Sequence, residues 1–190
     1  MIETNISVRE MDQQDIDSIL HYWFNSPPGH LTGMGVDLSK IPPPGPFKEY
    51  LREQLATPIE EKISYCIIWE ADGVPIGHSN TNPTTFGEQA FMHLHIWNSS
   101  VRKQGLGVAF VKMTLPFYFN KLKLKKLFCQ PYALNPAPNK TMEKVGFHLV
   151  KEYETIPGPM NFKQVVKLWE MTAEKFHELQ ILHLLPILHP

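Results

Sequence analysis

Cysteines are scarce in this sequence, which excludes several kinds of site. Two cysteines, Cys66 and Cys129, occur among 190 residues. Each lies in an apolar run, and neither belongs to a CxxC pair or a Cys/His zinc spacing. We therefore expect two buried, reduced thiols and no metal site. The alternative is a nucleophilic Cys129, although no motif places a histidine or asparagine beside it.

An excess of charge of one sign and long apolar runs are also missing. The 18 Lys and Arg residues balance 19 Asp and Glu residues, for a formal net charge of −1. Without a global positive field, the chain is not expected to bind nucleic acid. No run approaches the roughly 18 apolar residues of a membrane span, and the first residues do not form a signal peptide. We expect a cytoplasmic protein without a membrane contact.

The apolar residues that are present follow helical and strand-like periods in turn. Asp12 is expected to cap a first helix, residues 26–46 to form a long Gly/Pro-rich loop, and Phe47 to begin a second helix. Residues 82–87 are predicted as a loop. Further helices are predicted from Gly105 to about Phe119 and at 138–145, with Pro138 in the first position. Strands are predicted at 6–9, 64–70, 74–80, 90–97, 126–130, 147–154 and 163–171.

This order predicts an α+β (mixed α/β) single domain. Helices should flank a mostly antiparallel, twisted central sheet of about six to seven strands. The strand–helix–strand unit from 90 to 130 should be parallel and right-handed. Residues 1–171 are expected to form the domain. The tail 172–190 is too apolar to be free and should pack on the domain or on a second subunit, as in a possible homodimer.

The segment Arg102-Lys103-Gln104-Gly105-Leu106-Gly107 lies where a predicted strand gives way to a helix. The first N–H groups of a helix have no intrahelical partners, and the helix dipole is positive there, so such a start can hold a phosphate. The glycines let a ligand approach the backbone. The dinucleotide fingerprint is absent because Phe110 replaces its third glycine, and no P-loop signature occurs. By itself the segment could equally be a tight turn.

A second motif changes this interpretation. Arg102-x-x-Gly105-x-Gly107 resembles motif A of the GNAT superfamily of N-acetyltransferases, and Asn135 followed by Glu143-Lys144-Val145-Gly146-Phe147 resembles its second signature. The resemblance covers about residues 5 to 171. Many members carry a tyrosine, as acid for the departing thiolate, where this chain has Met142. In that respect the sequence is most similar to the branch resembling ribosomal-protein N-terminal acetyltransferases. Tyr132 is a substitute candidate, or simply a packed tyrosine.

The resemblance implies a site for acetyl-CoA in a V-shaped gap between the fourth and fifth strands. It implies that backbone amides of about Gln104 to Val108 bind the pyrophosphate and that a main-chain N–H polarises the thioester carbonyl. Asn139 either joins the cofactor site or stabilises the start of the short helix. The expected cofactor-binding residues are Ile96, Trp97, Arg102, Lys103, Gln104, Gly105, Leu106, Gly107, Val108, Asn135 and Asn139.

Histidines on the strand before this segment suggest a base. The two-residue period of a strand places His93, His95 and Trp97 on one face, and His78 on the neighbouring strand could face the same cleft. An imidazole is suited to accept a proton at neutral pH. We predict His93, His95 and Glu88 as catalytic candidates and all three histidines as substrate contacts. The alternatives are hydrogen-bonded core histidines and a solvated Glu88.

The sequence therefore predicts an acetyl-CoA-dependent N-acetyltransferase that acts on a primary amine of a small molecule or of a protein N-terminus. The acceptor pocket is expected between the loops at 29–46 and 80–88 and the histidine face. The alternative is a non-catalytic acyl-CoA-binding protein, in which Met142 reflects lost chemistry. A nucleotide-binding oxidoreductase is a third option, which the missing glycine disfavours.

Overall fold

The computed structural model describes residues 4–97 and 105–186. Within these ranges a seven-stranded sheet has the order β1-β2-β3-β4-β5-β7-β6. The strands are β1 (Ile6–Glu10), β2 (Tyr65–Ala71), β3 (Val74–Thr85), β4 (Gln89–Ile96), β5 (Lys126–Cys129), β6 (His148–Thr155) and β7 (Gln164–Thr172). The helices are α1 (Ile16–Asn25), α2 (Pro28–Gly33), α3 (Pro44–Ala56), α4 (Leu106–Pro116), α5 (Pro136–Val145) and α6 (Ala173–Ile181).

The sheet is antiparallel except at one pair of strands. β4 and β5 run parallel, and their pairing covers only Gln89–Phe91 against Lys126–Phe128. β4 then continues to Ile96 beside β3, while β5 ends at Cys129 beside β7. The two strands therefore part after Phe91. This confirms the predicted fold class and the V-shaped gap between the fourth and fifth strands.

Each face of the sheet packs against its own set of helices. On one face, Trp69 and Met92 belong to a core that includes Phe110 of α4 and Phe176 of α6. On the other face, Ile68 packs with residues of α1 and α3. Because side chains alternate across a strand, the β4 positions that do not enter the α4 core point toward α1–α3.

A 3₁₀ turn at Gln13–Asp15 leads into α1, and Asp12 caps this turn rather than α1 itself. The Asp12 carboxylate accepts from the Gln14 N–H at 2.7 Å, and the Asp15 carboxylate accepts from the Asp12 N–H at 2.8 Å. These two bonds form a capping box that satisfies N–H groups without helical partners. Arg9 then fixes Asp15 with two further bonds of 2.6 and 2.8 Å.

Three predicted boundaries are wrong, two of them because of proline. The predicted loop 26–46 contains α2, and α3 starts within it. Pro28 and Pro44 occupy the first helical positions, where a missing N–H costs nothing. Likewise Pro136, not Pro138, opens α5. The predicted loop 82–87 is mostly strand, since β3 reaches Thr85 across an irregular register.

The described part of the tail begins with α6. Phe176 is fully buried and stacks on Phe119 with ring centroids 4.5 Å apart, and Leu179 is also buried. Three apolar side chains beyond them are exposed: Ile181, Leu182 and Leu184. None of the helices in the described ranges is long and apolar enough to cross a membrane.

Candidate active site

The start of α4 presents open backbone. Gly105 precedes the helix with φ +80°, a left-handed conformation that suits glycine, and it supplies no capping side chain. Among the described residues, a Cβ at Gly105 would meet nothing within 4 Å, and one at Gly107 would meet only the Thr141 hydroxyl at 3.6 Å. The first turn of α4, which includes Val108, can therefore be approached closely by a ligand. The predicted contacts Arg102, Lys103 and Gln104 lie outside the described residues.

The start of α5 borders the gap from the β5 side. Asn135 takes the N-cap position of α5 and lines a cavity that reaches the gap. Asn139 is buried and its amide is fully engaged. Its Nδ2 donates to the carbonyls of Tyr132 and Asn135 at 3.1 and 2.8 Å, and its Oδ1 accepts from Trp169 at 2.9 Å. These bonds brace the turn that presents Asn135, which matches the alternative role predicted for Asn139.

The position of the family tyrosine holds a core side chain. Met142 is fully buried in the α4-side core and offers no hydroxyl. Tyr132 is half-buried, lines the cavity and contacts the Phe162 ring edge-on at 5.8 Å. Tyr132 therefore brings a phenol to the lining of the cavity while its ring packs on Phe162.

The structure brings the histidines of β3 and β4 together. His78 lies opposite His95 in the strand register, and their rings stack with centroids 4.6 Å apart. The Trp97 indole N–H donates to His78 Nδ1 at 2.7 Å, which confirms that these side chains share a face. The Tyr22 hydroxyl shares hydrogen bonds with His95 Nδ1 at 3.3 Å and with His30 Nε2 at 3.2 Å.

Tyr22 and His30 are not among the predicted site residues. Tyr22 lies three positions after Ile19 on the buried face of α1, a spacing that could have indicated an inward-facing hydroxyl. His30 falls in the segment predicted as a loop. The bond of Tyr22 to His95 and the bond of His30 to Tyr22 depend on how α1 and α2 dock, which periodicity does not reveal.

His93 differs from the other two histidines in its contacts. It is half-buried, and its Nε2–H donates to the Asn82 carbonyl at 2.8 Å. Because a carbonyl can only accept, this bond fixes the proton on Nε2. Among the described residues, the Nδ1 lone pair has no hydrogen-bond partner. His93 therefore has the oriented ring and the available lone pair that a general base needs.

Burial keeps all three imidazoles neutral. Burial lowers the pKa of His78 to about 3, with His93 adding to the effect and the Asp15 carboxylate opposing it. Burial and the neighbouring His78, His93 and His30 lower the pKa of His95 well below its usual range. Burial also lowers the pKa of His93, while its bond to the Asn82 carbonyl raises it. The neutral form is the one that can accept a proton.

A cavity of about 230 Å³ connects the histidines to the gap. Its helix side includes Ile19, Trp23 and Phe47, and its sheet side includes all three histidines. Toward the gap it reaches Cys129, Tyr132 and Asn135.

Glu88 does not line this cavity. It lies in the turn before β4, where the sheet still pairs with β5, and its carboxylate binds Lys125 Nζ at 2.7 Å. The structure thus brings the three histidines together and leaves Glu88 apart from them.

The two cysteines are not built for nucleophilic chemistry. Burial raises the pKa of Cys129 to about 12 and raises that of Cys66 further above its usual value. Both are free thiols, and both remain protonated at neutral pH. Within the described ranges, no cluster of His, Cys, Asp and Glu side chains could hold a metal ion.

The model of the acetyltransferase (GNAT) domain family matches residues 5–148. The chain therefore belongs to the GNAT acetyltransferase family. It is an N-acetyltransferase that uses acetyl-CoA as donor and an amine as acceptor.

Solved structures support the fold. Spermidine N-acetyltransferase from Vibrio cholerae, solved with CoA and spermine, is 15% identical with a TM-score of 0.73, over 90% of this chain and 98% of that chain. An uncharacterized protein from Bacillus halodurans is 19% identical with a TM-score of 0.67, over 93% of this chain and 89% of that chain. At these identities the likeness shows the fold alone. No curated protein matches the chain.

Proposed function

We propose that the chain acetylates a primary amine that enters between α1–α3 and the sheet and meets acetyl-CoA at β4. The acceptor is a small molecule or a protein N-terminus. The observation that carries this proposal is the cavity itself, which joins the histidine face to the gap beside β4. Donor and acceptor can then reach the same strand from opposite sides and react directly.

The donor half of the proposal rests on the start of α4 and on the edge of β4. Pyrophosphate binds at the open first turn of α4, with Arg102, Lys103 and Gln104 completing the site. Beyond Phe91, β4 has lost its β5 neighbour, so the pantetheine arm can pair there like an added strand. The Trp97 N–H already donates to the Ile76 carbonyl at 2.8 Å, so it is not the group that polarises the thioester carbonyl. In this proposal another main-chain N–H of β4 does so.

His93 is the proposed base. The amine nitrogen attacks the thioester carbon, the new N–C bond forms as the C–S bond breaks, and the amine proton passes to His93 Nδ1. The CoA thiolate leaves and takes a proton from Tyr132 or from water. His95 and His78 have lower proton affinity and stacked rings, which suits the wall of the acceptor site. Glu88 takes no part in the proposed reaction because it lies outside the cavity.

Two finer assignments belong to this proposal. Met142, in place of the family tyrosine, supports a place near the branch resembling ribosomal-protein N-terminal acetyltransferases. The exposed apolar side chains Ile181, Leu182 and Leu184 support a homodimer that covers them. Met142 also favours the second candidate function, a protein that binds acyl-CoA without turnover.

The test is amine-dependent release of CoA thiol, combined with the intact mass of the protein. We expect one thiol released per N-acetylamine formed and no mass increase of the protein with acetyl-CoA alone. Binding of acetyl-CoA without release on any amine would favour the second candidate. An acetylated protein that transfers its group to the amine later would contradict direct transfer.

A further inference from the structure

Among the described residues, the cavity that faces the histidines is lined without any charged side chain. Its lining in the described ranges contains no Asp, Glu, Lys or Arg. The segment 98–104, which lies outside these ranges, contains no Asp or Glu either. An acceptor with several ammonium groups would therefore enter a site without a carboxylate to pair with them.

Two acidic side chains close to the cavity walls, Asp15 and Asp37, are already engaged. Asp15 is buried and accepts two bonds from the Arg9 guanidinium, at 2.6 and 2.8 Å. Asp37 accepts from the Ser39 hydroxyl at 2.7 Å and pairs with Lys40 at 3.5 Å. Recruiting either carboxylate for a substrate cation would break an existing charged contact.

The surroundings of the histidines also disfavour a cation. All three have lowered pKa values, chiefly because burial penalises the charged imidazolium. A substrate ammonium that stays charged in this place would bear the same penalty. The reacting amine escapes the penalty because it must be neutral to attack, whereas the other amines of a polyamine do not.

Apolar side chains from α1 to α3 form the opposite wall. Trp23 is buried and packs on His95 with ring centroids 5.1 Å apart, and Phe47 lies 6.1 Å from Trp23. Met34 and Leu51 also line the cavity. Such a wall of rings and thioethers suits an aromatic or aliphatic body.

Besides the His93 lone pair, the cavity has a neutral acceptor in Gln164. Gln164 lines it and is buried, and its Nε2 donates to the Gly35 carbonyl at 3.0 Å. Among the described residues, its buried Oε1 has no hydrogen-bond partner. Buried polar atoms are normally paired, so this oxygen suits a neutral N–H or O–H group of the acceptor.

From these observations, and resting on the proposed function, we infer that the acceptor is a monoamine on an uncharged, largely apolar body, of the single-ring arylalkylamine kind. Polyamines should be poor acceptors, although the V. cholerae neighbour was solved with spermine. The juxtaposition that carries the inference is a neutral histidine face opposite an aromatic wall, with no free carboxylate in the lining.

The experiment compares kcat/KM for phenylethylamine, spermidine and an unblocked neutral tripeptide. Acetyl-CoA is first titrated into the same protein, which measures donor binding separately from turnover. We expect kcat/KM for phenylethylamine to exceed that for spermidine on the order of tenfold or more, since each 1.4 kcal/mol of desolvation is a factor of ten.

Asn80, which lines the cavity, permits a gain-of-function test. Asn80→Asp should raise kcat/KM for spermidine and so lower the ratio of kcat/KM for phenylethylamine to that for spermidine. The control Asn25→Asp, at the exposed end of α1, should leave this ratio unchanged.

Preference of the wild-type protein for spermidine or for the tripeptide would overturn this inference but leave the proposed function standing. An unchanged ratio in Asn80→Asp would also count against it. Binding of acetyl-CoA without turnover of any of the three amines would overturn both the inference and the proposed function. These outcomes separate the acceptor class from the reaction itself.

Discussion

At the scale of single residues, the proposed reaction depends on one proton acceptor. His93 has its ring fixed by the Asn82 carbonyl and keeps a lone pair at Nδ1. His95 lies on the same face of β4, and His78 stacks on it from β3. The pKa values of both are lowered more strongly than that of His93, and both have hydrogen bonds at their Nδ1 atoms. The three rings thus share a face, and their different environments support the different roles that we propose for them.

Replacing His93 with glutamine tests this assignment. The pKa of His93 lies below its usual value of about 6.5, so the base is neutral near pH 7 and kcat should fall only as the pH drops through that lowered pKa. In His93→Gln, kcat should fall about 10²-fold or more, and this acidic limb should disappear. The measurement is the pH profile of kcat at saturating amine.

His21→Gln is the matched control, because His21 is an exposed histidine on α1 that lies outside the cavity. It should keep the wild-type rate and the wild-type profile. A His93→Gln variant that retains the acidic limb would show that another group is the base.

The shared histidine face could be predicted from the sequence, while its details could not. The two-residue period of β4 is enough to align His93, His95 and Trp97. The stacking of His78 on His95 requires the register of the β3–β4 hairpin. The bond of Tyr22 to His95 requires the docking of α1 on the sheet, a long-range contact that no local pattern encodes.

At the scale of secondary-structure elements, α6 explains part of the apolar tail and leaves part unexplained. Phe176 and Leu179 are buried in the α4-side core. Ile181, Leu182 and Leu184 are 77%, 56% and 51% exposed, which is costly for neighbouring apolar side chains. A second copy of the chain would cover them.

Changing Ile181, Leu182 and Leu184 together to serine tests the proposed homodimer. We expect a dimeric wild-type protein to become a monomer with little loss of stability, because these side chains contribute little to the core. Sedimentation equilibrium measures the change. Val74→Ser, at an apolar side chain that is 60% exposed in the β2–β3 hairpin, is the control and should stay dimeric. A monomeric wild-type protein would contradict the proposal.

Helices that begin with proline were the elements least accessible from the sequence. The segment 26–46 is rich in Gly and Pro, which predicts a loop. The same prolines, at the first positions of α2 and α3, are compatible with helix because no N–H is needed there. Strands are easier to predict from the sequence. In β2, β4, β5 and β7 the apolar pattern of a strand buried on both faces is bounded by turn residues.

At the scale of the whole molecule, the proposed function depends on the gap where β4 and β5 part after Phe91. The mostly antiparallel order and the single parallel pair could be predicted from the order of elements. The cavity could not, because its walls come from α1–α3, β3, β4 and the chain after β5, which meet only in the folded protein. The resemblance in the sequence concerned the donor side, and the structure adds the cavity in which we propose that the acceptor binds.

The central claim is that acetyl-CoA is held at the start of α4 beside the divided sheet. The most direct test is calorimetric titration of acetyl-CoA into the wild type, Gly107→Val and the control Gly45→Val. At both glycines an added Cβ has room, so neither change should disturb the fold, and thermal unfolding should verify this. The branched side chain at 107 would block the approach of the pyrophosphate and remove charge-assisted bonds worth about 1.5–3 kcal/mol each.

We predict tight binding to the wild type and to Gly45→Val, and binding at least about 100-fold weaker to a folded Gly107→Val. Wild-type affinity in Gly107→Val would contradict the claim and place the donor elsewhere on the molecule.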